Sequence, residues 1–230
     1  MKNMCNNPWI DLPAVGPYWL PNDSLFLNNY NILHPARIDS QIVHHIIPEP
    51  FVGNLNPLSG KKPIIFLNLN PGYNGPEAHN PAMNDSNFRA AAIDNLNHNY
   101  PGIFLLEFPN YPGYLWWNRK LNQLINATSF DRVRNGIFCL EWFGYCSRSF
   151  DANYWAVNQI PSQEYAFCLL KYFISQDYLI IIMRSRSKWT ASVPLLEGYQ
   201  NLIELRNPQN PSISPGNMTP AQWQQLINAI

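Results

Sequence analysis

The apolar positions of the chain form short continuous runs and helical stripes from residue 61 onward. The stretches 113–126, 161–175 and 219–230 carry apolar side chains at helical spacing. Residues 1–60 are rich in Pro and Asn with little periodicity, which predicts an irregular N-terminal arm over residues 1–50 with one helix, packed on the domain. Continuous apolar runs are typical of strands buried on both faces of a sheet, and here they are KPIIFLNLN (62–70), IFCLEWF (137–143), YLIIIM (178–183) and the weaker NLIEL (201–205).

This alternation of strand and helix predicts an α/β fold. Strands separated by helices pair in parallel and are covered by those helices. We therefore expect one domain over residues 1–230, a three-layer α/β/α sandwich whose central sheet is mainly parallel and four-stranded. The last helix carries clear start signals, with Thr219 as N-cap, Pro220 at the first helical position and Gln222 completing a capping box.

The segments that follow the four strands should meet at one edge of the sheet, where parallel α/β sheets bind ligands. These segments are polar, and they contain NPGYNG (70–75), GYCSRSF (144–150), RSRSK (184–188) and RNPQNPSISPGN (206–217). The sequence thus places its candidate site at this edge.

The charge is balanced overall but concentrated locally. The chain has 15 basic and 15 acidic residues, which argues against a generic nucleic-acid coat protein. The strand exits nevertheless hold five of the basic residues, and a positive strip there indicates a partner with phosphates or another anion. The alternative is ordinary solvated loop charge on these residues, Arg148, Arg184, Arg186, Lys188 and Arg206.

Two of the exits are stiffened by proline. In Asn70-Pro71-Gly72, Pro71 fixes the backbone and Gly72 permits close approach of a ligand, so that the Asn70 amide is held at the sheet edge. The segment 207–217 can press on a surface and offer backbone amides. The alternatives are a turn in which Asn70 caps its own backbone and a connector that is rigid only for stability.

Together these segments resemble the uracil-DNA glycosylase superfamily, in its mismatch-specific and single-strand-selective branches. Asn70-Pro71-Gly72 matches the end of the first motif, G-x-N-P-G, and Asn210-Pro211-Ser212 matches an H-P-S or N-P-S loop. PGYLWWNRKLNQL (112–124) is similar to the P-G-x-x-x-W helix of the superfamily. PEPFVGN (48–54), RSRSKW (184–189) and ISPGN (213–217) are similar to a bacterial subgroup within it.

The chain also departs from the superfamily pattern. Asn68 stands where the first motif has Gly, the second motif has no His, and no His follows His98. Where uracil enzymes commonly present an Asn to read the base, this chain has Glu141.

The resemblance implies a monofunctional DNA glycosylase that flips a damaged or unusual base into a pocket and hydrolyses its N-glycosidic bond without metal or cofactor. Asn70 would position the water and Asn210 would assist catalysis. The base would be bound by Pro71, Gly72, Tyr73, Glu141 and Ser212. Single- or double-stranded DNA would be held by Arg148, Arg184, Arg186, Lys188, Ser214 and Asn217.

Other functions stay open. The same fold could bind nucleic acid or a nucleotide without breaking a bond, or could hydrolyse a free nucleoside. Because a carboxylate only accepts hydrogen bonds, Glu141 favours a base that bears an amino group, unless it simply pairs with Arg148 or Arg184.

The cysteines and apolar runs bear on location. Cys5, Cys139, Cys146 and Cys168 form no C-x-x-C pair, which predicts free thiols in a reducing compartment. No apolar run reaches the roughly 20 residues that span a membrane, and the N-terminus has no apolar signal core. We expect a cytoplasmic monomer.

Overall fold

A five-stranded mixed sheet lies at the centre of the protein in the computed structural model, which describes residues 5–55 and 60–230. The strand order is β1-β3-β2-β4-β5. β1 is antiparallel to β3, and the other neighbours are parallel. The strands are β1 (Phe51–Gly53), β2 (Ile64–Asn68), β3 (Ile137–Glu141), β4 (Ile180–Ile182) and β5 (Leu202–Glu204).

Helices connect the parallel strands. Short 3₁₀ turns lie at Pro8–Asp11, Ile38–Ser40, Phe104–Glu107, Pro194–Leu196 and Pro215–Asn217. The α-helices of the described residues are α1 (Pro21–Leu33), α2 (Pro76–Asn84), α3 (Ser86–Leu96), α4 (Pro112–Ala127), α5 (Phe130–Gly136), α6 (Ala152–Val157), α7 (Gln163–Ser175), α8 (Arg186–Ser192) and α9 (Pro220–Ala229).

The α/β class and the mainly parallel sheet confirm the sequence prediction at that level. Every residue of β2, β3 and β4 is buried, as their unbroken apolar sequences indicate. The prediction of four strands is wrong, because β1 adds a fifth strand at the edge beside β3. β1 has three residues and lies in a Pro- and Asn-rich stretch, so it leaves no periodic signal.

The helices with the strongest apolar stripes are found close to their predicted positions. α4 buries Trp117, Leu121 and Leu124. In α9 both hydrogen bonds of the capping box are present, from Gln222 N to Thr219 Oγ1 and from Thr219 N to Gln222 Oε1. The prediction of a loop at 184–188 is wrong in part, because α8 begins at Arg186.

The N-terminal arm is joined to the sheet by a buried carboxylate. Asp23 of α1 is fully buried and accepts hydrogen bonds from Tyr145 Oη at 2.7 Å and from Ser162 N at 3.1 Å. Tyr145 follows β3 and Ser162 precedes α7, so this contact fixes the arm to the exit of β3. Burial raises the pKa of the Asp23 carboxyl, and the hydrogen bonds from Ser162 and Tyr145 oppose that shift.

A disulfide makes a second link between the arm and the domain. Cys5 and Cys168 of α7 are bonded across 163 residues of sequence. The prediction of four free thiols is therefore wrong for these two residues, while Cys139 and Cys146 are free and buried. A pairing between residues this far apart has no spacing signature in the sequence.

Candidate functional site

A cavity of ≈ 310 Å³ opens at the carboxyl ends of β2, β3 and β4. It lies where a parallel α/β sheet is expected to bind a ligand. The segments after these strands, the residues before β1 and the start of α4 supply its walls. The polar and aromatic side chains in these walls include Glu49, Asn68, Asn70, His79, Trp116, Trp117, Glu141, Ser147, Arg148, Phe150 and Arg184.

A hydrogen-bonded pair of side chains forms the polar floor of the cavity. Asn68 and Glu141 end β2 and β3 and are register partners in the sheet. Asn68 Nδ2 donates to Glu141 Oε1 at 3.0 Å. Both side chains are buried, with 5% and 7% of their surfaces exposed. Asn68 Oδ1 and Glu141 Oε2 have no hydrogen-bond partner in the described part of the chain.

The Asn70 amide is oriented by both of the loops that follow β2 and β3. Its Nδ2 donates to Pro71 O at 2.9 Å and to Ser147 Oγ at 3.2 Å. The two loops are joined by a bridge between Gly72 and Ser147 and by the hydrogen bond from Tyr73 N to Ser147 O. With both amide hydrogens used, Asn70 Oδ1 is the group that is left to accept a hydrogen bond from a ligand or a water molecule.

Two carboxyl groups in the cavity have strongly raised pKa values. The pKa of Glu141 is raised to about 8, chiefly by burial and also by Glu49, while the Asn68 hydrogen bond and Arg184 oppose the shift. Burial raises the pKa of Glu49 to about 7. At neutral pH Glu141 is therefore mainly a carboxylic acid that can donate as well as accept, whereas Glu49 is poised to exchange a proton.

Aromatic rings supply the apolar walls. Phe150 and two adjacent tryptophans of α4, Trp116 and Trp117, line the cavity, and Trp117 is buried. Lys120 Nζ lies 5.9 Å from the centre of the Trp116 ring and donates to Asn210 Oδ1 at 2.6 Å. Aromatic side chains combined with buried polar groups in one cavity suit a planar heterocycle better than a flexible chain.

Comparison with known proteins gave no match. No family model, no curated protein and no solved structure matches the chain. Separately, none of the helices in the described residues is long and apolar enough to cross a membrane.

The structure brings six of the predicted site residues to the cavity. Asn70, Pro71 and Gly72 come from the loop after β2. Glu141 ends β3 and Arg148 follows it, while Arg184 follows β4. The first, second and third strand exits thus converge as predicted.

The fourth exit does not reach the cavity. The segment 206–217 contributes none of the lining residues. Asn210 is exposed, and its Oδ1 accepts a hydrogen bond from Lys120 Nζ. Lys120 in turn lies beside the ring of Trp116, so that Asn210 is separated from the cavity by these two side chains. Asn217 Nδ2 donates to Ser212 O and to Asn210 O, which holds this loop in its own conformation. The expectation that Asn210 and Ser212 border the same cavity as Asn70 is corrected, and the predicted DNA-binding residues Ser214 and Asn217 lie outside the cavity as well.

The basic strip is also smaller than the sequence indicates. Arg186 pairs with Glu204 at 2.6 Å and borders a separate surface groove. Lys188 Nζ donates to Asn153 Oδ1. Arg148 lies 3.5 Å from Asp39, so Arg184 is the predicted basic residue that enters the cavity without an ion pair among the described residues.

Tyr73 lies beside the cavity rather than in it. Its hydroxyl is 3.2 Å from His45 Nε2, and its ring contacts the rings of His45 and His79. Tyr73 and Arg148 line a neighbouring groove of ≈ 690 Å³, and Arg148 borders both spaces. The prediction that Tyr73 walls the base pocket is therefore replaced by a place in the adjoining groove.

Sequence reasoning missed several residues of the site. Glu49 and His79 line the cavity, and Lys120 is buried behind it. Glu49 stands between two prolines in PEP, just before the unpredicted strand β1. Only Lys120 carries a usable signal, since it lies one position before Leu121 on the buried face of a helix that the sequence does predict.

The two raised carboxyl pKa values predict a specific dependence of stability on pH. A carboxyl whose pKa is higher in the folded state holds its proton more tightly there, so its contribution to the free energy of unfolding is greatest below its ordinary pKa. That contribution is lost as pH rises from about 4.5 to about 8 for Glu141. The slope from one such group is at most ~1.4 kcal/mol per pH unit.

We therefore expect Glu141→Gln to flatten the fall of stability between pH 5 and pH 8. Urea unfolding of the wild type and the variant across this range measures the effect. Glu77→Gln, an exposed change in α2, serves as the control and should keep the wild-type slope. Parallel curves for wild type and Glu141→Gln would show that Glu141 is ionised throughout.

Proposed function

We propose that the protein hydrolyses the N-glycosidic bond of a damaged or unusual base that is flipped out of DNA into the cavity. The observation that carries this proposal is the Asn70 amide, which two hydrogen bonds orient at the edge of an aromatic-walled cavity with a polar floor. The resemblance of the Asn70-Pro71-Gly72 segment to the glycosylase motif supports the same function.

The bond-breaking step can be written from the residues in the cavity. A water molecule donates a hydrogen bond to Asn70 Oδ1 and is thereby held for attack on C1′ of the sugar. Its oxygen forms the new bond to C1′, and its proton passes to the Glu49 carboxylate. The electron pair of the C1′–N bond stays with the base nitrogen, and the base leaves.

The departing base carries negative charge as the bond breaks. Arg184 borders the cavity and stabilises that charge electrostatically. Arg148 lies between the cavity and the neighbouring groove, where it suits a backbone phosphate on either side of the flipped nucleotide. The rings of Trp116, Trp117 and Phe150 replace the stacking that the base loses on leaving the strand.

The three-layer sandwich belongs to this proposal. The complete burial of β2, β3 and β4 on both faces supports a layer of helices on each side of the sheet. Such an arrangement leaves the strand ends as the open edge at which a base can enter.

A second function, binding of nucleic acid or a nucleotide without cleavage, is favoured by one observation. The segment that resembles the second catalytic motif lies outside the cavity, with Asn210 bonded to Lys120. A site with one catalytic loop displaced can hold a base and still leave its bond intact.

Incubation with a panel of oligonucleotides separates these functions. Single and double strands would each carry one uracil, hypoxanthine, or alkylated or oxidised base, and alkali would then cleave at any abasic site. We expect strand cleavage with at least one base, and DNA retardation that weakens steeply with salt. Retardation without cleavage for every base would show that the protein binds nucleic acid and does not hydrolyse it. Base release from free nucleosides, with none from oligonucleotides, would show that the substrate is a nucleoside rather than DNA.

A further inference from the structure

Three buried side-chain atoms without a hydrogen-bond partner in the described residues belong to residues that line this one cavity. They are Asn68 Oδ1, Glu141 Oε2 and Arg184 Nε. Buried polar atoms are nearly always paired, because leaving one unpaired costs its full desolvation. Their concentration in one cavity indicates a ligand whose polar edge completes all three.

The sheet fixes the order of these groups. β2 lies between β3 and β4, and Asn68 is paired in register with Glu141. On the other side, Arg184 N donates to Leu67 O of β2 at 3.2 Å. Along the edge the three residues therefore run Glu141, Asn68, Arg184, with the amide oxygen in the middle.

We propose that these three residues read the pairing edge of a guanine-derived base, with its ring N–H on Asn68, its carbonyl on Arg184 and its amino group on Glu141. This inference rests on the proposed function, because it assumes that the cavity receives a base. It names the base class that the cavity selects.

The central and Arg184 positions follow from donor and acceptor chemistry. Asn68 Oδ1 can only accept, so the middle of the base edge must be an N–H. Guanine, hypoxanthine and uracil have such a group, whereas adenine and cytosine present an acceptor nitrogen there and leave two acceptors face to face. Arg184 Nε can only donate, so it takes the neighbouring carbonyl oxygen.

Glu141 decides the third position. Its Oε1 already accepts from Asn68, so Oε2 is the atom that meets the base. Ionised, Oε2 accepts from an exocyclic amino group, which guanine has and hypoxanthine lacks. Protonated, Oε2 donates and suits a second carbonyl, as in uracil.

The charged groups around Glu141 bear on this choice. Glu49 raises its pKa and Arg184 lowers it, while His79 and Arg148 stand elsewhere on the wall. The nearby thiols of Cys139 and Cys146 are neutral, because burial raises their pKa values well above the ordinary range. An amino group on Oε2 favours the ionised form, so affinity for guanine should rise between pH 6 and pH 8.5, while affinity for uracil should fall.

Binding to uncleavable strands tests the inference apart from catalysis. The probes are all-adenine oligonucleotides with one 2′-fluoroarabino nucleotide of guanine, hypoxanthine or uracil, followed by fluorescence anisotropy. The fluorine resists glycosidic cleavage, so no base is released during the measurement. At pH 8.5, where Glu141 is mainly ionised, guanine should bind on the order of tenfold more tightly than hypoxanthine, since the two differ only in the amino group that meets Glu141.

Glu141→Gln supplies the matched variant. With Gln Oε1 accepting from Asn68, its Nε2 faces the base as a fixed donor, so the preference for guanine should disappear and uracil should bind best. Asn68→Ala removes the central acceptor and should weaken the binding of the guanine, hypoxanthine and uracil strands to a similar degree. Thermal melts confirm that each variant is folded.

Two results would overturn the inference. One is equal affinity of the wild type for guanine and hypoxanthine at pH 8.5, and the other is an unchanged guanine-to-hypoxanthine ratio in Glu141→Gln at that pH. If these ratios hold while no oligonucleotide loses its base, the edge recognition stands and the hydrolysis proposal fails. If bases are released whether or not they bear the amino group, the hydrolysis proposal stands and the edge recognition fails.

Discussion

Glu49→Gln is expected to reduce base release by about 10²–10⁴-fold, the range found when a general base is removed. Glu49 shares the cavity with Asn70. Burial raises its pKa to about 7, so it is partly ionised at neutral pH and can accept a proton from the attacking water. Glutamine keeps the size of the side chain and cannot take that proton.

The rate of base release should depend on pH through the ionisation of Glu49. Since the ionised form is the active base, the rate of base release by the wild type should rise with pH up to about 7 and then level off. In Glu49→Gln this rising limb should vanish. Single-turnover rates between pH 5 and pH 8 with the best substrate of the panel measure both effects.

Glu77→Gln is the control for Glu49→Gln, because Glu77 is exposed on α2 and lies outside the cavity. It should keep the wild-type rate and profile. Removing a partly buried carboxyl whose pKa is raised also relieves a desolvation cost, so Glu49→Gln should be no less stable than the wild type at neutral pH. A wild-type rate and pH profile in Glu49→Gln would exclude Glu49 as the base.

The sequence predicts those parts of the fold whose hydrophobic pattern is long and regular. β2, β3 and β4 are unbroken apolar runs, and α4, α7 and α9 have clear stripes. Because these strands are parallel, the residues at their carboxyl ends lie at the same edge of the sheet. This is why the sequence correctly places Asn70, Glu141 and Arg184 close together. The short elements leave no such pattern, and β1, with three residues, is the clearest example.

The parts that sequence reasoning misses depend on contacts between distant residues. Glu49 reaches the cavity because Glu49 N donates to Gly144 O and β1 pairs with β3. Asn210 lies outside the cavity and accepts a hydrogen bond from Lys120, which lies 90 residues earlier in the chain. Trp189 is fully buried, and its Nε1 donates a hydrogen bond to Asn68 O at 2.7 Å, a contact between α8 and the end of β2 that no sequence pattern indicates.

Chemical state is a further limit of sequence reasoning. As an ionised group, Glu141 would be an acceptor only, which is the state that the sequence argument assumes. Its burial beside Glu49 raises its pKa to about 8, so the protonation state of Glu141 affects which base it can bind. Burial of a single side chain depends on the packed structure and cannot be deduced from residue type.

Asn70→Ala is expected to lower base release by about 10²–10³-fold, because a misplaced water molecule loses the alignment that makes attack efficient. Asn70→Asp should be similarly impaired, since a carboxylate cannot donate to Pro71 O and Ser147 Oγ and would be repelled by the carbonyl oxygen. Ser147→Ala removes one of the two contacts that orient the amide, and it should have a smaller effect in the same direction. Asn228→Ala, an exposed change in α9, is the matched control and should leave release unchanged.

Single-turnover base release by wild type and Asn70→Ala, measured beside their affinities for an uncleavable strand, tests the central claim most directly. We expect release to fall by at least about 10²-fold in Asn70→Ala while the dissociation constant changes little, because Asn70 acts on water rather than on the base. Equal release by the two proteins, or no release by the wild type from any strand that it binds, would contradict the claim that Asn70 activates this cavity for glycosidic hydrolysis.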